Sequence, residues 1–358
     1  MTDKDILKKV LVIGPDIKAG GGMAEVLKVH RTHIFSNEEF DYLQTNSRRG
    51  TIIGAFYLLG LLACIPFKRL KGKKLLHIHA SHGKSFYRKL IILYWSKLFG
   101  FKSLVQWHGG EAEEFFKKPI NRRFLKRMIK NSKGIMVLSN YWKKLFSQYA
   151  DVETYIIPNI IERRENIQRE LHTPLTFLFL GSIVREKGIF EMLEAFKALI
   201  NHTTEWKLIV CGNGKDEKAM KEFISKNNLQ GRVIIAGWVE DNEKREKLEE
   251  SDVMVLPSYA EAFPVSILEG MSYRLPVIAT SVGSIPEMIE NFREGILVNP
   301  KDSEQLKESI KFYLDNLERV AEHGMNAYEK VASFSPDKLR HSLLDAYRSV
   351  LTKNGHGR

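Results

Sequence analysis

Two glutamates, Glu261 and Glu269, are spaced for binding a sugar or a nucleotide, because seven residues separate them around the start of a predicted helix. If the helix begins near Val265 or Ser266, Glu269 lies about one turn inside it, and Glu261 lies in the preceding loop. A carboxylate can accept two hydrogen bonds from the vicinal hydroxyls of a ribose, and N–H groups at a helix start can meet phosphate. One glutamate in a first turn is an ordinary stabilising residue, but the pair indicates a ligand site.

Two cations, Arg185 and Lys187, lie in the segment Gly181–Gly188, which follows a predicted strand and precedes a helix. The positive end of a helix already favours an anion, so two further cations are unfavourable for the helix itself. The segment is therefore predicted to bind an anion such as phosphate.

Two weaker features lie in the first half of the chain. Gly20, Gly21 and Gly22 follow the first predicted strand, where glycines let backbone N–H groups approach a phosphate or a sugar. Their spacing is not the GxGxxG of dinucleotide sites, and a merely flexible loop is the alternative. His108 ends the strand-like LVQWH, so it either faces a ligand or is a satisfied polar group at a strand end.

The sequence indicates no metal site. His77 and His79 share one face of a predicted strand, but neither a cysteine nor a carboxylate cluster accompanies them. The one Asp-x-Asp match, Asp3-Lys4-Asp5, lies ahead of the first strand, where it has no predicted ligand to serve.

The elements that must position these residues alternate between short apolar runs and helical segments, and the alternation restarts after Pro174. Each series predicts a doubly wound α/β domain with a parallel sheet. We expect domains at 1–165 and 174–335 with Ile161–Thr173 as linker, and a C-terminal helix in 336–358 that packs back toward the first domain. Ligands of such sheets bind beyond the carboxyl ends of the strands, so the site is expected in a cleft between the domains.

One apolar run, Thr51–Phe67, contains no charge and is bracketed by Arg48-Arg49 and Lys68-Arg69. Its 17 residues are at the short limit for a bilayer span. The strand-like Leu75–Ala80 follows at the distance that a βαβ unit requires. We therefore expect a helix buried on one side of a sheet, with a membrane-inserted helix as the alternative.

The composition, 358 residues with 44% hydrophobic and 27% charged, is that of a globular protein and argues against disordered, collagen-like and disulfide-rich classes. Cys64 and Cys211 are the two cysteines, which favours a reducing compartment. The net charge of +12 is uneven: residues 1–172 contain 31 Lys and Arg against 15 Asp and Glu, and residues 68–144 contain 20 against 3. This asymmetry indicates an acidic partner, either nucleic acid or an anionic membrane, with a merely soluble basic face as the alternative.

The passage SYAEAFPVSILEGMSYRLPVIATSVGSIPEMI resembles the signature of the retaining GT-B glycosyltransferases of family 4, the glycosyl transferases of group 1. Further pieces follow in the family's order: the glycine loop, WHGG at Trp107–Gly110, IPN at Ile157–Asn159, GSIVREKG, and VCGNG at Val210–Gly214. The resemblance implies the GT-B fold, two Rossmann-like doubly wound domains facing each other across a cleft. It also implies a nucleotide-sugar donor held mainly by the second domain, and transfer with retention of anomeric configuration by front-face attack.

The resemblance further implies a role for each matching residue. Glu269 would hold the ribose, Glu261 the donor sugar, and Lys187 the departing diphosphate. Arg185 would assist at the phosphates, and His108 would lie near the reacting face of the sugar. The remaining donor contacts would come from Gly21, Gly22, Gly212, Asn213, Trp238, Phe263, Val265 and Ser266.

The chain departs from the family pattern at two positions. Ser182 stands where the family usually has arginine, and we expect Arg185 to reach the same phosphates instead. Pro264 stands where glycine is frequent, and proline offers no N–H, so donor contacts there must come from its neighbours. We expect the two cations and the helix start to replace a metal ion, so no metal cofactor is predicted.

The basic first half indicates the acceptor side. We expect a glycan or polyprenyl-linked acceptor, a peripheral position on the inner, cytoplasmic face of an anionic membrane, and a role in bacterial surface polysaccharide biosynthesis. The family favours UDP over GDP, and no nucleic acid partner is expected. The alternatives are a nucleotide-sugar epimerase of the same fold, a basic nucleic-acid-binding protein, and a catalytically inactive relative. The aromatic residues expected to reach lipid headgroups are Phe86, Tyr87, Tyr94, Trp95, Phe115, Phe116 and Phe124.

Overall fold

The computed structural model describes residues 1–18, 21–35, 40–45, 51–165, 167 and 169–352. The chain divides into two compact units: unit 1 consists of Met1–Ile160 with Pro336–Arg358, and unit 2 of Ile161–Ser335. Gly20 of the glycine loop lies outside the described residues, as do Arg48 and Arg49 ahead of the long apolar run.

Unit 1 is built on one parallel sheet of six strands. The strands are β1 (Val10–Gly14), β2 (Tyr42–Gln44), β3 (Leu75–Ala80), β4 (Lys102–Trp107), β5 (Gly134–Val137) and β6 (Thr154–Ile156). They are ordered β2-β1-β3-β4-β5-β6, and every neighbouring pair is parallel. The helices are α1 (Asp3–Leu7), α2 (Gly22–Val29), which continues into a π-helical turn at His30–Ile34, α3 (Thr51–Leu70), α4 (Lys84–Leu98), α5 (Ala112–Lys117), α6 (Pro119–Asn131), α7 (Asn140–Ser147) and the C-terminal α15 (Pro336–Thr352).

The C-terminal helix α15 completes the core of unit 1. Its apolar residues recur at helical spacing, and Leu343 and Tyr347 are fully buried together with Ile6 of α1 and Val12 of β1. This burial is the reason that the last helix belongs to the amino-terminal unit although 175 residues of unit 2 precede it.

Unit 2 repeats the architecture. Its strands are β7 (Leu175–Leu180), β8 (Trp206–Cys211), β9 (Val233–Gly237), β10 (Val253–Leu256), β11 (Val277–Thr280) and β12 (Gly295–Val298). They form a parallel sheet in the order β12-β11-β10-β7-β8-β9. The helices are α8 (Ile189–Ala198), α9 (Glu217–Lys226), α10 (Asp241–Glu249), α11 (Val265–Ser272), α12 (Ile285–Met288), α13 (Ser303–Asp315) and α14 (Leu317–Val331).

The two doubly wound α/β sheets confirm the predicted fold class. Buried parallel strands are continuous apolar runs between turn residues, and the sequence shows such runs. The strands β3, β8, β9 and β10 occupy the residues predicted from them. The short edge strand β2 was not predicted, because its three residues are only partly buried and carry no continuous apolar signal.

The prediction that Thr51–Phe67 is a buried helix is wrong. The run does form a helix, α3, but only 11% of its window Ile53–Leu70 is buried. Leu61 and Ile65 are buried, whereas Phe56 is 69% exposed. Composition alone could not separate the two cases, because a helix with apolar residues on every face fits a protein core and a membrane equally well.

Four of the side chains expected on the exposed basic and aromatic face lie inside unit 1 instead. Phe86 and Phe116 are buried core residues. Lys73 is also buried, with its ammonium donating to the carbonyl of Val10 at 2.9 Å. Lys89 donates to Thr45 Oγ1, and burial, with a smaller effect of the Arg88 charge, lowers its pKa to about 7.

Candidate active site

The predicted donor residues of unit 2 lie on loops that follow the carboxyl ends of neighbouring strands. Gly181 follows β7, Gly212 follows β8, and Trp238 follows β9, while Glu261 lies in the loop after β10. Because the strands are parallel, these loops share one edge of the sheet, where ligands of doubly wound sheets bind.

Lys187 and Glu261 form an ion pair at this edge. The ammonium Nζ of Lys187 donates to Oε1 of Glu261, and the hydroxyl of Ser258 donates to the same carboxylate oxygen at 2.7 Å. Glu261 is almost buried, with 8% of its surface exposed. The sequence predicted that both groups face the donor, and the structure adds that each is the other's partner.

Glu269 forms a second ion pair in unit 2. It lies in the second turn of α11, and its Oε1 accepts from Nζ of Lys244 on α10 at 2.6 Å. Both side chains are largely buried. Sequence reasoning missed Lys244, because a pair between residues 25 positions apart on different helices leaves no local spacing pattern.

The turn that carries the two predicted phosphate ligands is held by its glycine. Arg185–Lys187 form one turn of 3₁₀ helix that ends at Gly188, whose φ is +70°. A Cβ on Gly188 would lie 2.0 Å from the carbonyl oxygen of Pro257, so only glycine allows this close approach. The Arg185 guanidinium lies over the Phe190 ring, 4.6 Å from its centroid.

Gly212 and Asn213 form backbone hydrogen bonds that connect the loops of the site. The N–H of Gly212 donates to the carbonyl of Gly237 at 2.6 Å, and the carbonyl of Asn213 accepts from Ile183 at 2.8 Å. A Cβ on Gly212 would lie 1.8 Å from the carbonyl oxygen of Gly181. These contacts hold the loops after β7 and β8 together.

The start of α11 offers backbone donors to an anion. Pro264 is the N-cap residue with φ −68°, and no side chain caps the helix. The first helical residues, Val265 and Ser266, are half-buried, and Phe263 packs edge-on against Phe334 with ring centroids 5.4 Å apart. The N–H groups of a helix start point outward along the axis, so they remain suited to phosphate.

Trp238 lies on the loop after β9 and keeps 43% of its surface exposed. Its indole Nε1 donates to Oε1 of Glu240 at 2.7 Å. An exposed, oriented indole face is suited to stacking on a planar base.

In unit 1, the half-buried His108 joins a network of imidazoles whose next member, His79, is buried. Its Nε2 lies 2.8 Å from Nδ1 of His79. Burial, with a smaller effect of the nearby His30, lowers the pKa of His108 to about 3, so its ring is neutral at physiological pH. A neutral imidazole can donate or accept a hydrogen bond at a sugar hydroxyl but adds no positive charge.

The network also contains a residue that sequence reasoning missed. His30, from the π-helical turn after α2, brings one ring nitrogen within 4.8 Å of one nitrogen each of His77 and His79. Both nitrogens of His77 already pair with protein, one with Tyr347 at 2.7 Å and one with Gln106 at 3.0 Å. The bonds of His77 account for only part of the cluster, because both ring nitrogens of His30 and Nε2 of His79 have no hydrogen-bond partner among the described residues. Their proximity would allow a metal, but it does not establish one.

The glycine loop is described from Gly21 onward. Gly21 is the N-cap of α2 with φ +90°, and Gly22 is the first helical residue. Both are exposed, and a Cβ on either would meet no atom within 4 Å. Packing therefore does not require these glycines, although the positive φ of Gly21 by itself favours glycine there. The donor contact of Gly21 and Gly22 stays a prediction.

Comparison with known proteins identifies the family. Residues 161–330 match the family model described as "Glycosyl transferases group 1". The match places unit 2 in the group 1 glycosyl transferases. The matched region carries both ion pairs and the two-cation turn, and the two sheets of the chain are those of the GT-B glycosyltransferases.

Individual relatives agree with this assignment. The chain is 27% identical over 68% of its length to a "Putative teichuronic acid biosynthesis glycosyltransferase TuaC" of Bacillus subtilis, of which the match covers 63%. It is 26% identical over 98% of its length to the "2-deoxystreptamine N-acetyl-D-glucosaminyltransferase" of Niallia circulans, of which the match covers 94%. The solved structure of Anabaena Alr3699/HepE in complex with UDP-glucose superposes with a TM-score of 0.76 at 15% identity, covering 95% of this chain and 99% of that one.

Proposed function

We propose that this protein transfers a sugar from a nucleotide diphosphate sugar, with UDP favoured over GDP, to a glycan or lipid-linked acceptor. The observation that carries the proposal is the pair of ion pairs, Lys187–Glu261 and Lys244–Glu269, beside the start of α11. The two carboxylates can accept hydrogen bonds from hydroxyl groups of a donor. The two ammonium groups can attract its phosphates, which the start of α11 also favours.

Donor binding would exchange the partners of these groups. The Glu269 carboxylate would accept the vicinal hydroxyls of the ribose, with Lys244 holding it in place at 2.6 Å. Glu261 would accept hydroxyls of the donor sugar, and its partner Lys187 would turn to the diphosphate. The largest catalytic term would then be electrostatic, because the ammonium and the N–H groups of α11 are oriented before negative charge develops on the leaving phosphate.

The reaction we propose is retaining and independent of a metal ion, as the resemblance to family 4 implies. The bond between the anomeric carbon and the phosphate oxygen breaks, a bond to the acceptor oxygen forms on the same face, and the acceptor proton leaves with the diphosphate. His108 would contribute a neutral hydrogen bond to the sugar. Arg185 would assist at the phosphates in place of the arginine that the family usually has at the position of Ser182.

Names of relatives support the substrate class. One relative is named for teichuronic acid biosynthesis, and one solved neighbour is a complex with UDP-glucose. From these names and the basic stretch 68–144, with 20 Lys and Arg against 3 Asp and Glu, we propose a role in bacterial surface polysaccharide biosynthesis. The protein would work as a peripheral protein on the cytoplasmic face of an anionic membrane.

The test is to incubate the protein with UDP- and GDP-sugars, with and without polyprenyl-phosphate or glycan acceptors, in buffer containing EDTA. We expect acceptor-dependent release of UDP and a glycosylated product whose anomeric proton shows the configuration of the donor. Lys187→Ala is the matched inactive control. An epimerised sugar formed from donor alone, or an inverted product, would contradict the proposal.

A further inference from the structure

Helix α3 has an apolar surface on the side that faces solvent. Its inward side is a narrow stripe in which Leu61 and Ile65 are buried one turn apart. On the outward side Phe56 is 69%, Leu59 62% and Phe67 67% exposed. A surface helix of a soluble protein normally carries polar residues there, so this face is suited to an apolar environment.

The neighbouring helix α4 extends the same kind of surface. Tyr87, Ile91, Tyr94, Trp95 and Leu98 recur at helical spacing, and each is at least 37% exposed. The two helices are joined where the indole N–H of Trp95 donates to the carbonyl of Leu62 at 2.8 Å. Tyrosine and tryptophan are enriched at the boundary between lipid and water.

The charges around this surface select an anionic partner. Neither α3 nor α4 contains an acidic residue, while Lys71, Lys74, Lys84 and Lys97 lie at the ends of the two helices and are exposed. Each such cation near an anionic membrane strengthens its attraction. A second copy of this surface would instead bring like charges together.

The topology favours a helix that lies in the membrane surface over one that spans it. Strands β2 and β3, which precede and follow α3, belong to one sheet. A spanning helix would place its two ends on opposite sides of a bilayer about 30 Å thick. At its carboxyl end the helix is also fixed to unit 1, since Lys68 pairs with Asp41 at 2.6 Å and Arg69 donates to the carbonyl of Phe99 at 3.1 Å.

We propose that the outward faces of α3 and α4 insert in the plane of an anionic lipid bilayer, with the helix ends at the headgroups. This surface would hold unit 1 at the membrane by apolar insertion as well as by charge. The inference refines the membrane contact within the proposed function, but it does not depend on glycosyl transfer.

The native cysteines supply the probe for a direct test. Cys64 is exposed on α3, whereas Cys211 is buried and burial raises its pKa to about 12, so a thiol reagent selects Cys64. A fluorophore sensitive to polarity, attached at Cys64 of the full chain, should shift to the blue with phosphatidylglycerol vesicles. Bromines on the lipid acyl chains should quench it.

The matched variants separate insertion from general loss of fold. Phe56→Gln with Leu59→Gln should lower the vesicle partition coefficient at least about tenfold, because each side chain loses its apolar transfer energy. Leu317→Gln with Met325→Gln changes two exposed apolar residues of unit 2, although they are less exposed at 41% and 40%, and should leave partitioning unchanged. Circular dichroism and UDP binding should be the same in all the proteins.

Several results would overturn the inference. These are an unshifted probe, equal binding of the two double variants, or a protein dimer that shields Cys64 in place of lipid. A further test places single cysteines at Ile53 and Leu70 in a Cys64→Ser background. Both should react with a membrane-impermeant reagent from the outside of preformed vesicles, whereas protection of one end would indicate a spanning helix. Loss of transferase activity with normal vesicle insertion would count against the proposed function alone.

Discussion

Replacing Glu261 by glutamine should affect nucleotide binding and turnover in opposite directions. In the structure the Lys187 ammonium is neutralised by Glu261, whose carboxylate is also held by Ser258 at 2.7 Å. A diphosphate must compete with that carboxylate for the ammonium and is repelled by it. Glutamine preserves the shape of the side chain and removes both effects.

The size of the effect follows from the exposure of the pair. Two unit charges at about 4 Å interact by roughly 4 kcal/mol at an effective dielectric constant of about 20. Because 28% of the Lys187 side chain is exposed, we expect solvent screening to reduce the net effect to about 1 kcal/mol. That corresponds to about fivefold tighter binding of UDP, whereas kcat should fall by about 10- to 100-fold through the lost charged hydrogen bond to the sugar.

Isothermal titration with UDP and steady-state kinetics with the UDP-sugar test both parts. The matched control is Glu186→Gln, since Glu186 lies in the same turn but pairs with Lys215 at 2.8 Å, and it should change neither quantity. Weaker UDP binding by Glu261→Gln would refute the exchange of partners. Unchanged turnover would refute the contact between Glu261 and the sugar.

The remaining predictions concern the phosphate site, the ribose site and the imidazole network. Lys187→Ala should lower kcat by about 10²- to 10³-fold, the cost of removing one preorganised donor to a developing oxyanion, and turnover within threefold of wild type would remove that role. Lys244→Ala should raise the donor KM by about three- to tenfold with a smaller change in kcat, because Lys244 orients Glu269 without contacting the reacting atoms. Steady-state kinetics measures both quantities. A purely structural role of Lys244 would lower the melting temperature instead. Burial lowers the pKa of His30 to about 4 and of His108 to about 3, below the usual 6.5. As the pH falls, both imidazoles therefore become protonated in the unfolded chain before they do in the folded protein. The free energy of unfolding should decrease as the pH falls from about 6.5 toward 4. Urea unfolding between pH 7 and pH 5 should show this loss. His30→Leu should reduce the slope by up to about 1.4 kcal/mol per pH unit below pH 6, and an unchanged slope there would contradict the buried neutral state of His30.

Much of the fold could be predicted because local sequence patterns determine its strands and helices. The buried parallel strands are continuous apolar runs, and β3 and β8 occupy the predicted residues. Helix α11 begins at Val265 as predicted, which places Glu261 in the loop and Glu269 inside the helix. The partners of these glutamates could not be predicted in the same way. Lys244 reaches Glu269 from another helix, and only the folded sheet edge brings the two together.

The two errors in unit 1 have a common cause. For α3, the sequence shows that every face of the helix is apolar. It does not show which of these faces the rest of the protein buries, and in the structure the outward face is exposed. Lys89, conversely, was assigned to a basic surface by its type, although its stem and ammonium are buried beside Thr45. Periodicity predicts an element, whereas burial depends on which neighbours the topology supplies.

The assignment of Glu269 to the ribose is tested by a binding cycle that changes the ribose and the carboxylate together. The affinities of UDP and 2′-deoxy-UDP are measured by calorimetry for the wild-type protein and for Glu269→Ala. If Glu269 accepts the ribose hydroxyls, the wild-type protein should prefer UDP by about tenfold or more, and the variant should bind both nucleotides equally. Equal preference for UDP in the two proteins, or no binding of UDP by the wild-type protein, would contradict the account.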